Sequence, residues 1–281
     1  MSVRLLEELP ERLVVPHGDQ VPSPGIKLSV IVPAYREGRH IQASLGKLLR
    51  ELDALGRTYE VIVVSDGNSD ETAREAELVV SPHIKVIEYN RNMGKGYALR
   101  CGVAHSSGEL VTFIDADMEL DPRYIKGFIA VMESFDCDAV VGSKRHPMSN
   151  VQYPPFRRFQ SVMYQLLIRT LFRIKVRDTQ TGLKLFRRQV LEEVVPLLAI
   201  KRFAFDLELL VVARQLGYKK VMEAPVDLKY KFESTADLKA TWNVLWDTAA
   251  IFYRLRIMRY YTHQRALVSG GDIRREVGAA E

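Results

Sequence analysis

The sequence predicts an α/β domain built on an open, mostly parallel sheet with helices on both faces. Three observations predict it. Short apolar runs alternate with stretches whose apolar residues recur at helical spacing. The runs are continuous, as in strands buried on both faces. Four successive runs end in polar, glycine-rich or acidic sequence, and ligands of open parallel sheets gather at that edge. The 281 residues allow one large domain with appendages. Hydrophobic residues at 47% supply a core and charged residues at 27% an ordinary surface, which excludes a wholly disordered chain.

Residues 1–26 read as a tail, because Pro16, Gly18, Pro22, Pro24 and Gly25 crowd its second half. The main domain is placed at 27–232, with amphipathic C-terminal helices and a tail at 233–281. The first strand is expected at 28–32. Ile41, Leu45, Leu48, Leu49, Leu52 and Leu55 then mark a helix. A second strand follows at 60–64, and a helix at 70–80 with Ser69 as its N-cap. Strand 84–89, helix 95–104, and strands 110–114 and 139–142 continue the alternation. Helix 205–216 and strand 219–223 complete it, and 242–261 is a long apolar and basic stretch.

The formal net charge is +5, which suits nucleic acid, an anionic membrane or phosphorylated ligands. Location discriminates better. Residues 144–177 hold eight Lys or Arg and no acid. Within them Phe159, Val162, Met163, Leu166, Leu167, Thr170, Leu171 and Ile174 share one helical face, with Arg169 and Arg173 off it. The pattern fits a membrane interface, and it also fits a core helix with a solvated basic face. Further on, Trp242, Trp246, Phe252, Tyr253, Tyr260 and Tyr261 mix with Arg254, Arg256 and Arg259. That mixture suits a headgroup region, or a helix packed on the domain. No nucleic-acid partner is expected, since no helix-turn-helix, zinc or RNA-binding signature is present. No window reaches the roughly 20 apolar residues that span a bilayer, and no signal peptide is visible. Contact with a membrane is therefore expected to be peripheral, at its cytoplasmic face. Cys101 and Cys137 have no metal-type spacing and are too few for a disulfide scaffold, as in a reducing compartment.

Asp115-Ala116-Asp117 is the sharpest chemical element. It directly follows a strand-like run, so two carboxylates can face one cation. Hard oxygen ligands suit Mg²⁺ or Mn²⁺, and Glu119 could add a third. Such an ion would neutralise a departing diphosphate. The alternative is a solvated acidic loop. Gly94-Lys95-Gly96 opens a helix after a strand, where backbone amides and a lysine charge favour phosphate. A tight turn is the other reading. The spacing is not that of a P-loop, and no G-x-G-x-x-G follows the first strand.

The elements P-A-Y-x-E at 33–37, S-D-G-N-S-D at 65–70, G-K-G at 94–96 and D-A-D at 115–117 resemble family 2 glycosyltransferases of the GT-A fold. The resemblance runs from residue 28 to about 230. Gly142-Ser143-Lys144, the D-T-Q-T-G-L-K-L-F run at 178–186 and F-D-L-E-L-L at 205–210 are similar to dolichyl-phosphate sugar synthases, the glucosyltransferases above all. The resemblance implies a nucleotide-diphospho-sugar donor and a polyprenyl phosphate acceptor. Pro33, Tyr35 and Glu37 would border the nucleotide, and Asp66 would hydrogen-bond the base. Lys95 would lie near the diphosphate, and Asp115 and Asp117 would hold the metal. Lys144, Arg157 and Ser161 would bind the acceptor phosphate. Asp178 and Gln180 would line the acceptor side and complete the catalytic set with the two aspartates. Two departures stand out. The family's D-D-G is Ser65-Asp66-Gly67, and Lys144 replaces an arginine, losing a bidentate phosphate contact.

A phosphate monoester has a second pKa near 6, so this acceptor needs no strong general base. The implied reaction is an inverting transfer of a hexose, glucose from UDP-glucose. Its rivals are mannose from GDP-mannose, and a hydroxyl acceptor served by a base such as Asp206 or Glu208.

Overall fold

The computed structural model describes residues 12–14, 25–67, 69–149, 155–200, 204–228 and 238–265. Most of the expected tail, the boundary near 232 and the end of the chain lie outside the described residues. The centre of the molecule is one eight-stranded sheet. Its strands are β1 (Arg12–Val14), β2 (Leu28–Ala34), β3 (Tyr59–Ser65), β4 (Ile84–Glu88), β5 (Leu110–Phe113), β6 (Ala139–Ser143), β7 (Lys184–Arg187) and β8 (Val221–Pro225). They lie in the order β1-β4-β3-β2-β5-β7-β6-β8. The pairs β4-β3, β3-β2, β2-β5 and β6-β8 are parallel. Only β1, at one edge, and β7, between β5 and β6, run antiparallel to their neighbours. The expected open, mostly parallel sheet is what forms. Residues 12–14 of the expected tail join it, Arg12 pairing with Glu88.

Side chains of the central strands divide between two cores, as the period of two requires. Ile31, Ile62, Val64 and Ile87 point to one face. There they meet α3 (Lys95–Ala104), α5 (Pro155–Phe172), α6 (Arg188–Val194) and α7 (Phe205–Leu216). Val30, Val32, Val61, Val63 and Val86 point to the other face. That side is covered by α1 (Ile41–Asp53), α2 (Thr72–Glu77) and α4 (Tyr124–Phe135). Burial on both faces is why these strands read as unbroken apolar runs.

Three local expectations are corrected. Helix α2 spans only six residues, and Ser69 does not cap it. Asp70 Oδ1 instead accepts from the Thr72 amide and hydroxyl, which turns the chain into the helix two residues later. Helix α4 went unread, although Ile125, Phe128, Ile129 and Met132 recur at helical spacing. Strand β7 was hidden inside the D-T-Q-T-G-L-K-L-F run, because four residues with a buried lysine carry no clear period.

The C-terminal segment forms α8 (Leu238–Phe252) and a π-helical turn at Tyr253–Ile257. It docks on the domain at two places. Tyr164 of α5 and Thr248 of α8 share a hydrogen bond of 3.0 Å, and Tyr261 donates to Glu208 Oε1 at 2.6 Å from a fully buried position. Helix α5 turns Ile168 and Phe172 inward, whereas Val162, Met163, Leu166 and Leu167 of the expected apolar face are exposed. Trp242 and Trp246 of α8 are 67% and 70% exposed. Tyr261, in contrast, is core. Among the described residues no helix is long and apolar enough to cross a membrane.

Gly102 of α3 sits so close to β2 that a Cβ would overlap the Ile31 side chain. Gly102→Ala is expected to lower stability by about 1–3 kcal/mol through overpacking, despite alanine's better helix propensity. Urea unfolding measures this, and an unchanged midpoint would show that α3 stands off the sheet.

Candidate active site

The carboxyl ends of β2, β3, β4 and β5 bring four loops together. After β2, Glu37 donates its amide to Thr72 Oγ1 at 2.8 Å, and Gly38 donates to Asp70 Oδ2 at 3.2 Å. These bonds lash the Pro33–Glu37 segment to the loop after β3. Tyr35 is exposed, with the Arg36 guanidinium 5.1 Å from its ring centre. Burial first, and then the charge of Asp117, raise the Glu37 carboxyl above its ordinary range. Glu37 therefore faces the acidic pair.

Asp66 is buried. It accepts from Tyr89 Oη at 2.8 Å, from the Met93 amide at 2.7 Å and from the Gly94 amide at 2.9 Å. It thus holds the glycine-lysine loop in place. Gly67 (φ 93°) completes that contact, since a Cβ there would lie 2.7 Å from the Asn92 nitrogen. Asn68 lies outside the described residues.

The loop delivers Lys95 to Asp115, with Nζ 2.5 Å from Oδ1. Burial works against the lysine's charge, but Asp115 and then Asp206 outweigh it and raise its pKa. Asp117 Oδ1 accepts the Glu119 amide at 3.0 Å across a turn in which Met118 takes a φ of 49°. Burial, with added repulsion from Asp115, raises the Asp117 carboxyl. Two hard carboxylates that repel each other in a partly buried loop fit a divalent cation. Asp115 and Asp117 could hold it, with phosphate oxygens supplying further ligands. Among the described residues no group of three His, Cys, Asp or Glu side chains is arranged to hold a metal, so Glu119 does not complete an all-protein cage.

The other wall comes from the loop before β7. Asp178 accepts the Lys144 amide at 3.3 Å and the Gln180 amide at 3.2 Å. Gly182 lies directly against Asp115; a Cβ there would overlap the carboxylate. Behind it, Lys184 is completely buried, 2.6 Å from Asp206 Oδ1. Burial lowers the Lys184 pKa, and Asp206 opposes that fall. Glu208 accepts the Ala199 amide, the Ile200 amide and the Tyr261 hydroxyl.

The structure thus gathers Glu37, Lys95, Asp115, Asp117, Lys144, Asp178 and Gln180 at one edge. Asp66 supports this group from beneath. Ser161 stands apart from Lys144 in its bonding: it accepts from the Arg145 guanidinium. Arg157 belongs to the first turn of α5, and its side chain lies outside the described residues. Sequence reading missed Gly182, Lys184 and Arg145. The glycine in D-T-Q-T-G was the available signal for close approach.

This architecture is a GT-A-like α/β fold with its polar site at the carboxyl edge of the sheet. Residues 29–195 match the family described as glycosyl transferase family 2, and the chain belongs to that family. It is 34% identical to a dolichyl-phosphate beta-glucosyltransferase of Trichomonas vaginalis over 70% of this chain and 62% of that protein. With the human dolichyl-phosphate beta-glucosyltransferase it shares 30% identity over 84% of this chain and 77% of that one. It is also 30% identical to glycosyltransferase AglD of Haloferax volcanii, of which the match spans only 35%. Glucosyl-3-phosphoglycerate synthase of Mycobacterium tuberculosis, solved with Mn²⁺, UDP and phosphoglyceric acid, superposes with a TM-score of 0.62. At 19% identity over 82% of this chain and 78% of that one, the match speaks for the fold.

Gly182→Ala tests the central contact. Displacing Asp115 by about 1 Å is expected to cost roughly 100-fold in turnover with little change in melting temperature. Wild-type kinetics in this variant would mean that the wall and the carboxylate are not in contact.

Proposed function

We propose that the chain is an inverting glycosyltransferase that moves glucose from UDP-glucose to a polyprenyl, dolichyl-type phosphate. One observation carries the choice of acceptor. The two carboxylates weighed as bases for a hydroxyl acceptor are already committed: Asp206 to the buried Lys184, and Glu208 to two amides and Tyr261. With neither available as a base, the site suits an acceptor that arrives ionised. The relatives named as dolichyl-phosphate glucosyltransferases support the same reading.

On this reading residues 27–232 are the catalytic domain. Pro33, Tyr35 and Glu37 border the nucleotide. Asp66 acts chiefly by holding the 91–95 loop, with base recognition its second role. When bound by Asp115 and Asp117, Mg²⁺ or Mn²⁺ supplies positive charge to the leaving diphosphate. Lys95 adds its own charge beside Asp115 and arrives pre-oriented. Asp178 and Gln180 face the acceptor, and Lys144, Arg157 and Ser161 surround its phosphate. The work is positioning and charge stabilisation rather than proton transfer.

The acceptor lipid lies in a membrane, and the exposed band of Val162, Met163, Leu166, Leu167, Trp242, Trp246, Tyr253 and Ile257 fits its surface. Arg169, Arg173, Arg256 and Arg259 are exposed on the same helices and the turns that follow them. Aromatic and cationic groups so mixed favour the headgroup layer, at about 1 kcal/mol for each cation near an anionic surface. The chain then acts as a peripheral protein at the cytoplasmic face.

A donor screen with polyprenyl phosphate should yield labelled lipid from UDP-glucose and not from GDP-mannose; labelled lipid from GDP-mannose alone would reassign the donor. Asp117→Asn should lose at least ~100-fold in turnover, the worth of a preorganised electrostatic contact of about 3–4 kcal/mol. Full activity in EDTA would defeat the metal role. Full-length protein should co-sediment with anionic liposomes at low salt and less at high salt. Replacing Trp242 and Trp246 by Ala together should weaken that binding. Indifference to such liposomes would remove the interfacial reading.

A further inference from the structure

We propose that Arg145, with Ser161, forms the guanidinium-hydroxyl grip on the acceptor phosphate. The inference rests on the polyprenyl-phosphate reading and refines its acceptor site. Lys144 and Arg145 are consecutive in the turn that leaves β6, where His146 donates its amide back to Ser143 O at 3.2 Å. The Ser149 hydroxyl closes the same turn on Ser143 O at 2.7 Å. The Lys144 amide is pinned to Asp178 Oδ2 at 3.3 Å. The Arg145 side chain reaches α5.

There its Nη1 donates to Ser161 O at 3.1 Å and to Ser161 Oγ at 3.4 Å. The geometry has two chemical consequences. With the hydroxyl oxygen accepting from the guanidinium, the hydroxyl hydrogen is left to donate to another acceptor. The guanidinium, in turn, has five N–H groups and uses one nitrogen here, so its planar fork can take two phosphate oxygens. Among the described residues no carboxylate forms an ion pair with Arg145. An arginine one position after Lys144 thereby restores the bidentate contact that the lysine cannot make. The same side chain ties the acceptor to α5, whose outer face carries the exposed apolar band. A lipid phosphate gripped there lies at the junction of the membrane-facing helix and the sheet edge.

The test uses full-length protein and geranyl phosphate, a soluble isoprenyl phosphate, in calorimetric titrations. Arg145→Ala should weaken its binding at least about 10-fold, the scale of a hydrogen bond to a charged group. UDP-glucose affinity and melting temperature should stay at wild-type values. Arg145→Lys separates grip from tether. A lysine can still donate to Ser161 O, so a purely structural arginine would be rescued, whereas a bidentate phosphate ligand would not. In turnover, Arg145→Ala should raise the KM for lipid phosphate and leave the KM for UDP-glucose alone. Wild-type geranyl phosphate binding by Arg145→Ala, or full rescue by Arg145→Lys, overturns the assignment of Arg145 and leaves the acceptor class standing. Failure of the wild-type protein itself to bind geranyl phosphate brings down the acceptor class, and this assignment with it.

Discussion

Asp115 is held from two sides, and the rest of the site is arranged around that restraint. Lys95 meets its carboxylate from the helix side, and Gly182 closes on it from the opposite loop. The lysine offsets a charge that partial burial would penalise, and the glycine lets backbone approach where any side chain would overlap. From this point a line of alternating charge runs inward: Asp115, Lys95, Asp206, Lys184. Each member reduces the desolvation cost of its neighbour, which is how a fully buried lysine is tolerated at the base of the crevice. Asp117 and Glu37 extend the acidic end outward, and their raised carboxyls mark where positive charge is wanted.

The antiparallel β7 is the topological device that makes this possible. A chain that continued in parallel after β5 would send its next loop to the same edge only after a full crossover. Because β7 enters from the carboxyl edge, residues 178–183 descend directly beside Asp115 before pairing with β5 and β6. Asp178 and Gln180 are therefore placed by the same strand that buries Lys184. Gly142 donates to Leu183 O at 3.0 Å and so stitches the end of β6 to that loop.

The C-terminal segment ties this centre to the outer surface. Tyr261 reaches Glu208, two residues from Asp206 on α7, while Thr248 fastens α8 to Tyr164 of α5. The segment thus contributes core on its inner side and an exposed apolar band on its outer side. Its aromatic residues divide between the two sides: Tyr261 is buried, and Trp242 and Trp246 are exposed.

What the sequence alone determined was whatever local pattern encodes. Unbroken runs such as Val-Ile-Val announced strands covered on both faces, and polar clusters after four of them located the site edge. The acidic pair, the lysine loop and the family-like D-T-Q run named most of the residues that the fold brings together. What only the tertiary structure decided were relations between distant segments, which no local period records. Asp66 was legible as a site residue, yet its buried bonds to the 93–94 amides depend on how two loops meet. Ser161 was picked out by the family-like spacing, but its partner, Arg145, is set by the turn after β6. The apolar face of α5 was visible in its spacing. Its direction was not, because spacing fixes which residues share a face and packing fixes where that face points.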